Sequence, residues 1–174
     1  MRRSVLFLLV FLLSGFAYGD DDNDAESDSL IRSIIDDFMS ALQAGDGLTA
    51  SELFSSQAME QVEVMLVSVK QNLDRDPEAA LRRLNGAGYT IELKAAEDWE
   101  IKDYLSATLS LPMITARYAP YELEINSVTL EAGSALVDMI FRTATGVEIP
   151  QQAVMTYEDD NWMITSFMGI TAFP

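Results

Sequence analysis

The chain has no histidine and no cysteine, so any chemistry it performs rests on carboxylates and phenols. Asp138 is the most pointed candidate. In ALVDMIFR, Ala135, Val137, Met139 and Phe141 share one side of an alternating stretch, while Leu136, Asp138, Ile140 and Arg142 share the other. A carboxylate between Leu136 and Ile140 would act as a general base if an apolar pocket raised its pKa. Tyr118, Tyr121 or Tyr157 would supply a phenolic donor beside it, with Tyr121 as the catalytic partner in that reading. The competing reading is structural: Asp138 sits on a partly exposed face and pairs with Arg142 or a neighbouring strand. That reading is preferred, so no catalytic residue is expected. Tyr118, Tyr121, Asp138 and Tyr157 are then ligand-binding candidates.

A second group is Glu158-Asp159-Asp160-Asn161, just before Trp162. Asp and Asn tolerate unusual backbone angles and bond their own backbone, which suits a tight turn. At an exposed tip such acids are poorly suited to general acid–base work. They are expected to form a hairpin tip.

The third group is Asp20-x-Asp22-x-Asp24, the opening of a calcium-loop pattern. That pattern needs Gly at its sixth position and Glu at its twelfth, where this chain has Ala25 and Ile31. Without histidine or cysteine there is no Ser-His-Asp triad, thiol nucleophile or zinc site with nitrogen or sulfur ligands. A carboxylate-only Ca²⁺ or Mg²⁺ site stays chemically open, but no motif specifies one. No metal and no cofactor are expected.

The elements that must position these groups follow from periodicity. Leu30, Ile31, Ile34, Ile35, Phe38, Met39 and Leu42 recur at helical spacing, and Gly45-Asp46-Gly47 stops that helix. Thr49-Ala50-Ser51-Glu52 reads as a capping box before a second helix carrying Met59, Val62, Met65, Leu66, Val69 and Leu73. Asp76-Pro77 starts a short helix that Asn85-Gly86 closes. Tyr89 to Leu93 alternates as a strand, and a helix is predicted from about Trp99 to Leu109, before Pro112. From Tyr121 onward the period is two: four strands turn at residues 131–133, 144–146 and 159–161. Pro150 places the third strand at an edge or a bulge near its start. In the last strand Trp162, Ile164, Ser166 and Met168 are expected on one face, opposite Met163, Thr165 and Phe167. The methionines are expected to fill an irregular core. The fold class is α+β: N-terminal helices on an antiparallel sheet, in one domain spanning residues 29–174.

The N-terminus reads as a signal peptide over residues 1–19. Arg2 and Arg3 precede the apolar run Val5–Leu13, and Ala17-Tyr18-Gly19 forms a small-x-small cleavage site. The run is too short for a membrane span, which needs about 20 residues. Removal of this segment takes two arginines and no acid, leaving 28 acids against 9 bases. Such a polyanion repels nucleic acid and anionic lipid, whose binding rests on Lys and Arg. A soluble periplasmic or secreted protein is expected, with no membrane insertion after cleavage and, lacking cysteine, no lipid anchor. Residues 20–28 (DDDNDAESD) are expected to form a disordered acidic leader, because like charges repel and little there can pack.

Ala41-Leu42, Gly45-Asp46, Leu53-Phe54 and the closing hairpin Glu158–Ile164 give the chain a family likeness. It resembles the nuclear-transport-factor-2-like superfamily, also called cystatin-like or ketosteroid-isomerase-like. The resemblance covers most of residues 29–170. It implies a cone: a curved sheet wrapped around helices, with a pocket at the open end, often in a homodimer. It also implies that Trp162 packs against the N-terminal helices. The segment Asp74–Pro120 exceeds a minimal member's connection and would cap or fill that cone. No motif carries over the isomerases' catalytic aspartate or oxyanion-hole pair. The expectation is an exported, non-catalytic domain that binds a small apolar ligand or an envelope protein; the alternative is a small isomerase, cyclase or hydrolase.

Overall fold

Period-two alternation after Pro120 becomes a four-stranded meander in the computed structural model, which describes residues 21–167. The strands are β1 (Tyr121–Glu131), β2 (Ser134–Thr143), β3 (Glu148–Glu158) and β4 (Asn161–Phe167). They lie in sequence order, and every neighbouring pair is antiparallel. Among the described residues seven helices precede them: α1 (Asp21–Ala44), α2 (Gly47–Ser51), α3 (Ser56–Arg75), α4 (Pro77–Gly86), α5 (Leu93–Glu97), α6 (Ile101–Leu109) and α7 (Pro112–Tyr118). The α+β class is as expected. The proposed signal peptide, residues 1–19, lies outside the described residues.

One face of the sheet is apolar and meets the helices. Val137, Met139, Phe141, Ala153, Met155, Ile164 and Phe167 are fully buried with Ile31, Ile35, Phe38 and Leu42 of α1. Phe167 meets Phe38 edge-on at 4.8 Å, and Tyr118 meets Phe141 edge-on at 6.3 Å. Aromatic side chains from α1, α7, β2 and β4 therefore meet in the interior between helices and sheet. The methionines divide: Met39, Met139 and Met155 are buried, whereas Met113 is exposed.

Two bulges bend the sheet. Ile125 pairs with Met139 and Ser127 with Asp138, which leaves Asn126 unmatched in β1; Thr165 is likewise unmatched in β4. A bulge puts one extra residue in a strand and increases its local twist. Arg32 of α1 donates to the Ile125 carbonyl at 2.9 Å, a backbone acceptor beside the first bulge. Gln43 donates to the Tyr118 and Tyr121 carbonyls and fixes the end of α1 against the α7–β1 junction.

Several expectations need correction. The acidic leader is not separate, because helix α1 already begins at Asp21. Acids are favoured near the positive end of a helix, and Asp28 pairs with Arg32 one turn on. The capping box at Thr49 does not form: Asp46 caps α2 by accepting from Thr49 N–H, and Ser55 caps α3 by accepting from Ala58 N–H. Tyr89–Leu93 is not a strand, since among the described residues no strand lies beside it to complete a ladder. Tyr89 instead packs with Trp99 and Tyr104, and Leu93 opens α5. Pro112 begins a helix as well as following one. Finally, the Thr165 bulge shifts β4 by one residue, so buried Phe167 replaces half-buried Ser166 on the core side.

Other sequence features hold. Gly45 takes φ +72°, its N–H bonds to the Leu42 carbonyl, and Asp46 N–H bonds to the Ala41 carbonyl. That paired closure needs a left-handed residue, which glycine supplies without a Cβ clash. Asp76 caps α4 with Pro77 in its first turn. Pro150 is the exception: β3 lies between β2 and β4 in the sheet order rather than at an edge, and Pro150 pairs with Ile140 of β2 in an unbroken register, without the expected bulge.

Candidate functional site

Asp138 stands in the middle of β2 on the face opposite the helices. Val137 and Met139 on either side of it are buried, and Asp138 itself is half-exposed. Across the sheet it faces Ser127 on one side and Gln152 on the other. Ser127 Oγ donates to Asp138 Oδ2 at 3.0 Å, and Gln152 Nε2 donates to Oδ1 at 2.8 Å. Both bonds favour the ionised carboxylate, Gln152 more strongly, so its pKa lies below the usual aspartate value. The general-base reading required an apolar pocket and a raised pKa, and the surroundings of Asp138 favour the opposite direction.

The phenols do not converge on this carboxylate. Tyr118 is buried, within ring-packing distance of Phe141 and Phe167, and burial raises its pKa. Tyr121 stacks on Phe141 at 5.4 Å. Tyr157 is 49% exposed and meets the Trp162 ring at 5.3 Å. Strand alternation puts Tyr121 and Tyr157 on the side of the sheet away from Asp138. The proposed Asp138–Tyr121 pair is therefore not assembled, and the four ligand-binding candidates do not line one site.

An open groove of about 700 Å³ surrounds Asp138, lined also by Asn126, Ser127, Pro150, Gln151 and Gln152. Ser127 and Gln152 were not singled out from sequence. Counting back from the turn at 144–146 places Gln152 opposite Asp138, but counting from 131–133 would place Asn126 there. Ser127 faces Asp138 because the first hairpin turns at Ala132-Gly133 with Glu131 opposite Ser134. The Asn126 bulge that borders the groove left no such signal.

The acids of the closing hairpin separate into two roles. Asp159 and Asp160 adopt φ 49° and 61° in a two-residue turn, as expected of a tip. Glu158 reaches back instead to α3, accepting from Ser56 N–H and Ser56 Oγ, both at 2.7 Å. Among the described residues no group of three or more carboxylates is arranged to hold a metal ion.

No protein-family model matches the chain, and no curated protein matches it. In solved structures it is similar to a Campylobacter jejuni protein described as an NTF2-like transpeptidase. The two are 16% identical with a TM-score of 0.33, over 52% of this chain and 98% of that chain. The α+β architecture stands on the strand order, register and helix packing above, independent of that likeness.

Proposed function

We propose that this protein is an exported, non-catalytic domain that binds a protein partner of the cell envelope. The observation that carries this reading is the packed interior. Phe38, Phe141, Phe167 and Tyr118 pack together between helices and sheet, which favours a surface partner over an apolar small molecule held in that interior. The enzyme alternative loses its geometric support with Asp138 ionised, doubly hydrogen-bonded and remote from the candidate phenols. Export rests on the pattern of residues 1–19.

Two measurements test the reading. Mass spectrometry of the protein from its native host should give an N-terminus near Asp20, and an intact Met1 in the membrane fraction would contradict export. Thermal melts against fatty acids, sterols and quinones should show no ligand-dependent shift. A saturable rise, or turnover of any ester or ketosteroid substrate that Asp138→Asn abolishes, would overturn the proposal.

A further inference from the structure

The outer face of the sheet is arranged in rungs that run across β2 and β3. Leu136 lies opposite Val154, Asp138 opposite Gln152, and Ile140 opposite Pro150. The charged rung is thus bracketed by two apolar ones, and the second of these is followed by Arg142 opposite Glu148. Val154 is 39% exposed and Pro150 is also exposed. No described helix packs on this side of the sheet.

The charge around these rungs is predominantly acidic. Glu122, Glu124 and Glu131 of β1 alternate toward this face, and Glu148 lies across it. Arg142 is the single basic residue on the four described strands. Its guanidinium is already taken, pairing with Glu124 and with Glu148, each at 2.9 Å. No Lys or Arg of the described residues pairs with Asp138, whose described partners are the neutral Ser127 and Gln152. A fixed carboxylate therefore opens to solvent between apolar steps, inside an acidic surround.

We propose that this face docks a cationic protein segment, with an arginine or lysine of that segment seated at Asp138. Long basic side chains suit this geometry: their methylene stem lies along Leu136–Val154 or Ile140–Pro150 while the charged head meets the carboxylate. The surrounding glutamates would steer such a partner and speed encounter. A second copy of this chain is disfavoured, because it would bring these glutamates against their own kind. The inference rests on the binding-domain reading above and assigns it a surface and a partner chemistry.

The test is a ¹⁵N amide titration of the chain with a synthetic peptide that alternates leucine with arginine. A counterpart with glutamate in place of arginine serves as the control. The arginine peptide should shift amides of β1, β2 and β3 on the outer face, and the glutamate peptide should not. Asp138→Asn, which keeps the side-chain shape, should weaken binding about tenfold, roughly 1.4 kcal/mol. Glu122→Lys should weaken it further, and added salt should weaken it in every form. Unchanged melting curves confirm that both variants are folded. Equal binding of both peptides, no loss in Asp138→Asn, or no shift at all would overturn the proposal. Shifts on α3 and α6 instead would overturn the surface while leaving the binding-domain reading intact. Concentration-dependent shifts of the sheet face without peptide would assign it to self-association and also overturn it. Substrate turnover that depends on Asp138 would remove the binding-domain reading itself.

Discussion

Glu158, at the end of β3, closes the N-terminus of α3 by holding both the backbone N–H and the hydroxyl of Ser56, 102 residues earlier in the chain. Ser55 completes this end: its hydroxyl accepts from Ala58 N–H and meets the hydroxyl of Thr165, the bulged residue of β4, at 3.1 Å. The start of a 20-residue helix is thus tied to the last hairpin by side chains that satisfy its free donors. Alongside, Leu53 and Ser55 exchange backbone bonds with Ile164 and cover the edge of β4.

Glu158→Ala should therefore destabilise the protein by about 1 kcal/mol, the scale of losing a helix cap. Replacing Asp159 with Asn and Asp160 with Gly should shift stability by no more than about 0.5 kcal/mol, since both residues suit the turn's positive φ. Urea denaturation of the two variants separates the roles. A loop variant that unfolds as readily as Glu158→Ala would contradict the division.

The β4 bulge decides which side chains are core. Phe167→Ala should cost on the order of 3–5 kcal/mol, and Trp162→Ala about the same, as for other buried large aromatics. Ser166→Ala should stay within about 0.5 kcal/mol. A neutral Phe167→Ala alongside a damaging Ser166→Ala in denaturant melts would mean that β4 runs without the bulge.

Gly47 packs where α2 crosses α6. A Cβ there would fall 2.1 Å from the Ser106 carbonyl oxygen and 2.6 Å from Ser110 N, backbone atoms that cannot swing aside. Gly47→Ala should cost about 2 kcal/mol or more as an overpacking change. Gly86 is the last helical residue of α4, with open space around it, so Gly86→Ala should be neutral or stabilising by up to about 1 kcal/mol. Opposite signs in thermal melts are the expected outcome, and a tolerated Gly47→Ala would contradict the close crossing.

Titration distinguishes the two ends of the pH scale. Asp46, bonded first by the Thr49 backbone N–H and then by its hydroxyl, and Asp138, bonded first by Gln152 and then by Ser127, both have lowered pKa values. Their contribution is fully present above the unfolded aspartate value of about 3.9 and is lost as pH falls through the folded values. Carboxyl NMR shifts should give both midpoints below that of an unfolded aspartate; a raised Asp138 midpoint would revive the general-base reading. Burial pushes Tyr89 up to about 12, against its hydrogen bond with Thr108. A raised phenol pKa stabilises the fold below the unfolded value of about 10, and that stabilisation is lost between there and about 12. Alkaline ultraviolet titration should show a late-ionising phenol that Tyr89→Phe removes.

By itself, the sequence determined the features that local backbone and periodicity control. Period-two patterning marked four strands and their turns, and Asp159-Asp160 needed only the conformational tolerance of aspartate to form a hairpin tip. Gly45 ended α1 and Asp76-Pro77 began α4 for equally local reasons. Tertiary contact decided the rest. Tyr89–Leu93 alternates as a strand does, yet a strand needs a partner ladder, and an aromatic cluster claims Tyr89 instead. The bulges at Asn126 and Thr165 depend on pairing and packing across the sheet, so the face given to Phe167 could not follow from alternation alone. Asp138 carried the same ambiguity: its alternation with Leu136 and Ile140 suits a buried base as well as a surface anion. The side of the sheet that the helices cover, together with the bonds from Ser127 and Gln152, made it the anion.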